Sequence, residues 1–232
     1  MIPKTIWQTY KCDETALPEY AAEAARTWKE HNPDHEYRYE NDEQAAQTVR
    51  SALGSEAHGL YVGMPKGVMR ADMWRYVVVF ARGGVYADLD TLCLEPIRCW
   101  VPPGCDMVIA VENQCHLCQW TFAASQGHPL LQGVIDLLLQ RAREKDYSNP
   151  YFVHHITGPG VWTGALLQGL GLPADLSGRL IDDLDKYELN PDHNVKCYSG
   201  EHCRAFVDEY VKHLFGSQNW NDGSYERWIE PS

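Results

Sequence analysis

The chain has 232 residues, 44% hydrophobic and 22% charged, a mix that builds one core-burying globular domain and excludes the polar, aromatic-poor pattern of disorder. Its 32 acidic against 20 basic side chains leave a net charge of -12, which repels phosphate polymers and argues against general nucleic-acid binding. The opening Met-Ile-Pro-Lys-Thr lacks an apolar signal core, and apolar runs such as Val77–Ala81 and Leu137–Leu139 are too short to span a bilayer.

In chain order, Ile2–Tyr10 alternates and is rich in β-branched and aromatic residues, which predicts a first strand. A helix follows over Glu19–His31, where Tyr20, Ala24 and Trp28 recur at helical spacing, then a short strand at Glu36–Tyr39 and a helix at Glu43–Leu53. From Lys66 to Arg82 the residues Met69, Met73, Val77 and Phe80 form an apolar stripe, and Gly83-Gly84 supplies a left-handed stop before a strand at Val85–Ala87. Met107–Val111 and Trp120–Ala124 predict further strands, and Pro129–Lys145 the longest amphipathic helix. Helices are expected at Val161–Gly169 and Cys203–Phe215, with a strand near Arg179–Ile181 between them. Alternating strands and helices imply an α/β fold with a mainly parallel sheet, in which ligands sit beyond the carboxyl ends of strands. Cys115 and Cys118 have the gap of a zinc knuckle, with Cys197, His202 and Cys203 as a looser second half. Buried, reduced thiols are the competing expectation.

The sharpest motif is Gly83-Gly84-Val85-Tyr86-Ala87-Asp88-Leu89-Asp90, a strand ending in two carboxylates one residue apart. In extended chain these point the same way and can address one ligand together, and hard oxygens suit Mn²⁺ or Mg²⁺ shared with a phosphate. The similar Asp183-Leu184-Asp185 reads as a solvated loop. Upstream, Asp72 and Arg75 share a helix face, where the plain expectation is a surface ion pair.

Taken together, Ile2–Tyr10, Ala71–Tyr76 and Gly83–Asp90 resemble glycosyltransferase family 32, the D-x-D sugar-binding enzymes that include fungal α-1,6-mannosyltransferases and are distantly similar to glucosylating clostridial toxins. Thr157-Gly158-Pro159 matches the family's Thr-Gly-Pro segment. The resemblance implies a single GT-A-type domain over 1–232, with a donor-binding half at 1–100 and an acceptor-side half plus closing segment at 101–232. It implies a metal-dependent transferase that moves a sugar from a nucleotide-sugar donor to a glycan or lipid-linked saccharide with retained anomeric configuration. Residue by residue, Thr9 and Tyr10 would line the donor site, with Tyr10 stacking on the base. Asp72 would accept from sugar hydroxyls, Arg75 would reach sugar or diphosphate, Asp88 would contact ribose or the metal shell, and Asp90 would ligate Mn²⁺ or Mg²⁺. Toward the C-terminus, Trp220 would cap the donor phosphate, with Ser217 or Asn219 completing the metal shell, although the spacing from His213 is stretched and Asn219 stands where Ser is usual. Glu112, His154 and His155 are weaker acceptor-side candidates, an imidazole being able to titrate near neutrality.

Three rivals remain at this level. A toxin-like enzyme would take a protein acceptor. A haloacid-dehalogenase-like phosphatase also uses D-x-D, but here Thr91 comes one residue early and the motif lies far from the start. A binding module would keep the fold and lose transfer. With no export signal or spanning segment, the expected location is the cytoplasm, at most peripheral to the inner membrane face.

Overall fold

The computed structural model describes residues 1–113, 116–173, 192–198 and 205–214. Strand β1 (Thr5–Thr9) pairs in parallel with β2 (Glu36–Glu40) on one side and with β3 (Gly84–Ala87) on the other. Beyond β3, the strand β7 (Thr121–Ala124) runs antiparallel and hands on to β5 (Met107–Asn113), again antiparallel. Strand β5 also carries β6 (His116–Leu117) antiparallel and β8 (Val195–Tyr198) parallel. Thus β1, β2, β3, β5 and β8 point one way and β6 and β7 the other, the mainly parallel mixed sheet that the alternation of strands and helices predicts.

Period-two alternation along the strands gives the sheet two apolar faces. Trp7, Tyr86, Met107, Ile109 and Phe122 turn to one side. There they meet α2 (Asp42–Val62), α3 (Gly67–Arg82), α4 (Pro129–Glu144) and α6 (Pro159–Gly169). Ile6, Val85, Val108 and Ala123 turn to the other, against Trp28 of α1 (Glu19–His31), Trp100 and Phe206. The short helix α5 (Phe152–Ile156) leads into α6 through Thr157-Gly158.

The turn out of α3 sets the position of the site. Gly83 and Gly84 have φ of 68° and 115°, the region that favours glycine. Space demands glycine as well: a Cβ on Gly83 would lie 2.6 Å from Pro3 Cδ, and one on Gly84 2.6 Å from the Thr5 carbonyl oxygen. The last turn of α3 therefore passes straight into β3, which is buried along its whole length and delivers the acidic pair at its carboxyl end.

Several boundaries differ from expectation for identifiable reasons. Gly54, at φ 84°, breaks α2 where the predicted helix ends, but the chain resumes helical geometry to Val62. Strand β8 owes its place to pairing with distant β5, which local periodicity cannot reveal. The helix expected over Cys203–Phe215 is replaced, within the described part, by a π-helical turn (Ala205–Tyr210) and a strand β9 (Val211–His213). Strand β9 pairs antiparallel with β4 (Thr91–Cys93), so this pairing overrides helical spacing. The strand expected near Arg179–Ile181 lies outside the described residues.

Candidate active site

Backbone bonds fix the acidic turn. The Asp88 N–H donates to the Trp120 carbonyl at 2.7 Å, and the Asp88 carbonyl accepts from the Thr91 N–H at 3.1 Å and from Gln8 Nε2 at 3.2 Å. Trp28 Nε1 donates to the Thr91 carbonyl at 2.9 Å. Leu89 is buried with Ala21 and Ala25, and Tyr10 packs on the same cluster.

A buried guanidinium joins the two halves of the predicted site. Arg75 Nη2 lies 3.2 Å from Asp72 Oδ1 and 3.0 Å from Asp88 Oδ1. Asp72 and Arg75 are 1% and 4% exposed, so the expected surface pair is corrected to a buried bridge. The Arg75 guanidinium also sits over the Tyr86 ring at 4.8 Å, and the Tyr86 hydroxyl donates to Asp88. Burial pushes the Asp72 carboxyl up to about 6, against the pull of Arg75 and a hydrogen bond from Thr157. A buried charge in such surroundings is retained only with partners, and Asp72 has three: Arg75, Thr157 and Gln119.

A third carboxylate meets an imidazole. His213 Nε2 stands 3.4 Å from Asp90 Oδ1, and the Leu214 N–H donates to the Asp90 carbonyl at 2.9 Å, so β9 is tied to the acidic turn. Burial raises the Asp90 carboxyl, while His213 pulls it down. Ligand atoms of Asp88, Asp90 and His213 all lie within 4.8 Å of one another. Two hard carboxylates and one imidazole form a donor set that suits Mn²⁺, and their convergence from two separate chain segments fits a divalent ion. Glu112 borders this end: Trp120 is its hydrogen-bond partner, and burial lifts its carboxyl to about 7 in the field of His213, Asp88 and Arg75.

The other candidates are placed less centrally. The Thr9 hydroxyl donates to the Glu40 carbonyl at 2.7 Å and braces β1 to β2. His154 Nε2 faces His116 Nε2 at 2.8 Å, and burial lowers the His154 imidazole to about 4, which keeps it neutral at pH 7. His155 is exposed. Among the described contacts neither imidazole reaches the carboxylates. Ser217, Asn219 and Trp220 lie outside the described residues, as do Cys115, His202 and Cys203 of the zinc alternative. Cys118 is buried, and burial raises its thiol well above the ordinary range, which disfavours the thiolate that zinc needs. The sequence around His213 reads as helix, which offers it no ligand role. Gln119 is an amide with no motif around it to single it out.

Comparison with known proteins gives this geometry a family. Residues 18–113 match the model of the glycosyltransferase sugar-binding region containing the DXD motif. The chain is 29% identical over 203 residues to an initiation-specific alpha-1,6-mannosyltransferase of Candida albicans, covering 72% of this chain and 52% of the relative. It is 31% identical over 196 residues to the protein of that name in Schizosaccharomyces pombe, covering 73% and 49%. The chain thus spans about half the length of these relatives. Among solved structures, the PaToxG glycosyltransferase superposes with a TM-score of 0.55 at 16% identity, over 75% of this chain and 72% of that one, a likeness of fold that fits the GT-A type. With Asp88 and Asp90 at the end of a buried strand inside the matched region, residues 18–113 form a glycosyltransferase sugar-binding region of the DXD type.

Proposed function

We propose that this chain transfers a hexose from a nucleotide-sugar donor to a hydroxyl of a glycan or lipid-linked saccharide, with retention at the anomeric carbon. The observation that carries the reading is the continuous charged track Asp72–Arg75–Asp88, with Asp90 and His213 alongside it. Such a track offers carboxylate acceptors to sugar hydroxyls and, between them, the positive charge of Arg75 for a diphosphate, where a guanidinium matches paired oxygens. Asp88, Asp90 and His213 would hold Mn²⁺ or Mg²⁺, which when bound neutralises charge on the leaving nucleoside diphosphate. Arg75 serves the same end from the protein side, because a positive group fixed in a desolvated site stabilises charge that develops as the glycosidic bond breaks.

Mannose is the sugar we favour. Two relatives are named alpha-1,6-mannosyltransferases and a third, 31% identical over 172 residues, an inositol phosphoceramide mannosyltransferase. All three names share the transferred sugar, so donor choice is the trait this chain would keep. Residues 1–100 would supply the donor half and 101–232 the acceptor half, with Glu112 facing the acceptor. The deciding experiment offers GDP-mannose, UDP-glucose, UDP-galactose and UDP-N-acetylglucosamine with Mn²⁺, with and without chelator. Chelator-sensitive release of mannose from GDP-mannose is the expected result. Release of a UDP sugar instead would overturn the choice of mannose. Silence with all four, together with phosphate release from simple phosphomonoesters, would overturn the transferase reading.

A further inference from the structure

We propose that Tyr76 is a positioning residue for the donor sugar: through Gln119 and Thr157, its hydroxyl holds the Asp72 carboxylate in the orientation from which Asp72 can accept sugar hydroxyls. The inference rests on the transferase reading above and goes on to name what sets the geometry of its sugar-facing group.

Both oxygens of Asp72 are engaged. Oδ2 accepts from Thr157 Oγ1 at 3.0 Å, and Oδ1 lies 3.5 Å from Gln119 Nε2 and 3.2 Å from Arg75 Nη2. Each of the two neutral partners is in turn held by Tyr76. Its hydroxyl donates to Gln119 Oε1 and lies 3.0 Å from the Thr157 carbonyl oxygen. An amide has one accepting and two donating ends. With Oε1 tied to Tyr76, the Gln119 side chain must turn Nε2 toward Asp72. The Gln119 carbonyl also accepts from Arg75 Nη1 at 3.2 Å, so one residue steadies both members of the pair.

The tyrosine itself is fixed by packing. Its ring is fully buried and stacks on Trp162 with centroids 5.2 Å apart and an interplanar angle of 8°. Burial keeps the phenol protonated and able to donate. The bracket therefore ties three separate segments, the middle of α3, the turn before β7 and the turn before α6, to one carboxylate. A core needs no such arrangement, since buried polar networks are costly unless fully satisfied. A binding site does need it, because supporting groups must hold a recognition group to within a fraction of an ångström.

The test compares wild type, Tyr76→Phe, Thr157→Val and Thr157→Ser, measuring kcat and KM for metal-dependent GDP-mannose hydrolysis, GDP affinity by calorimetry, and melting temperature. Tyr76→Phe keeps the ring stack and loses only the hydroxyl. We expect Tyr76→Phe and Thr157→Val each to lower kcat about 10- to 100-fold. GDP affinity should stay within about twofold of wild type. Thr157→Ser, which restores the hydroxyl, should recover most of the rate. Wild-type turnover by Tyr76→Phe, or a Thr157→Ser variant as poor as Thr157→Val, would overturn the proposal. Parallel losses of GDP affinity would reduce the bracket to a structural role and also overturn it. A wild type silent on every nucleotide sugar would count against the transferase reading instead. A crystal structure of Tyr76→Phe would then decide the bracket: a reoriented Gln119 amide and displaced Asp72 support it, and an unchanged Asp72–Arg75 pair overturns it.

Discussion

Two adjacent stretches of α3 are buried to the same degree by opposite chemistry. Val77, Val78 and Val79 are wholly buried in apolar surroundings, while Asp72 and Arg75, one turn earlier, are 1% and 4% exposed and held by ion pairs and hydrogen bonds. Burial of the valines stabilises the fold directly, each by about 1.5–3 kcal/mol. Burial of the charged pair adds desolvation that its partners offset only in part, so an ion pair of this kind is weak evidence of stability. The helix thus divides its work: one stretch holds the domain together and its neighbour keeps charge at a fixed place at some cost in stability.

That division predicts separable mutant effects. The largest should come from Asp90→Asn, which removes a metal-side carboxylate from the turn; metal-dependent turnover should fall by about 10²- to 10³-fold. Its melting temperature should remain within a few degrees of wild type, as for other substitutions outside the core. Full activity in this variant would remove the acidic turn from the chemistry. In the apolar core that Val77–Val79 share with α6, Trp162→Ala should cost about 3–5 kcal/mol through lost burial, seen as a fall in melting temperature of roughly 10 °C at about 2–4 °C per kcal/mol. His213→Ala should weaken Mn²⁺ binding by about 10- to 100-fold in a metal titration. An unchanged isotherm would strike His213 from the ligand set.

The smallest effect is a pH slope. Burial raises the Glu112 carboxyl to about 7 from its ordinary 4.5, so between those values the folded protein retains a proton that the unfolded chain has lost. Stability from this group is therefore greatest in acid and declines as pH rises through 7. Glu112→Gln should melt a few degrees above metal-free wild type at pH 8, and level with it at pH 4. A variant that melts lower at pH 8 would show the charge to be well compensated.

The apolar stripe of α3 was legible in the sequence, because a helical period of Met69, Met73, Val77 and Phe80 followed by two glycines has one physical solution. Asp88 and Asp90 were legible for the same local reason, a strand period and a turn. The burial of Asp72 and Arg75 was not, since i,i+3 spacing describes an exposed pair equally well. What buries them are Thr157, Gln119 and Tyr86, which arrive from other elements. His213 was hidden by the opposite failure: the helical spacing around it is real, and pairing of β9 with β4 overrules it. Local pattern announces residues whose neighbours are close in sequence, and it is silent about partners supplied by topology.

The β4–β9 ladder has a consequence in time. Asp88 and Asp90 reach their strand end once β1, β3 and β7 are in place, but His213 follows Asp90 by 123 positions and meets it only through that ladder. A growing chain on the ribosome can therefore pair β1, β3 and β7 and form the acidic turn long before His213 can join Asp88 and Asp90. At about 5–20 residues per second of synthesis, the emerging protein spends several seconds or more with its carboxylates gathered and their imidazole partner still unmade.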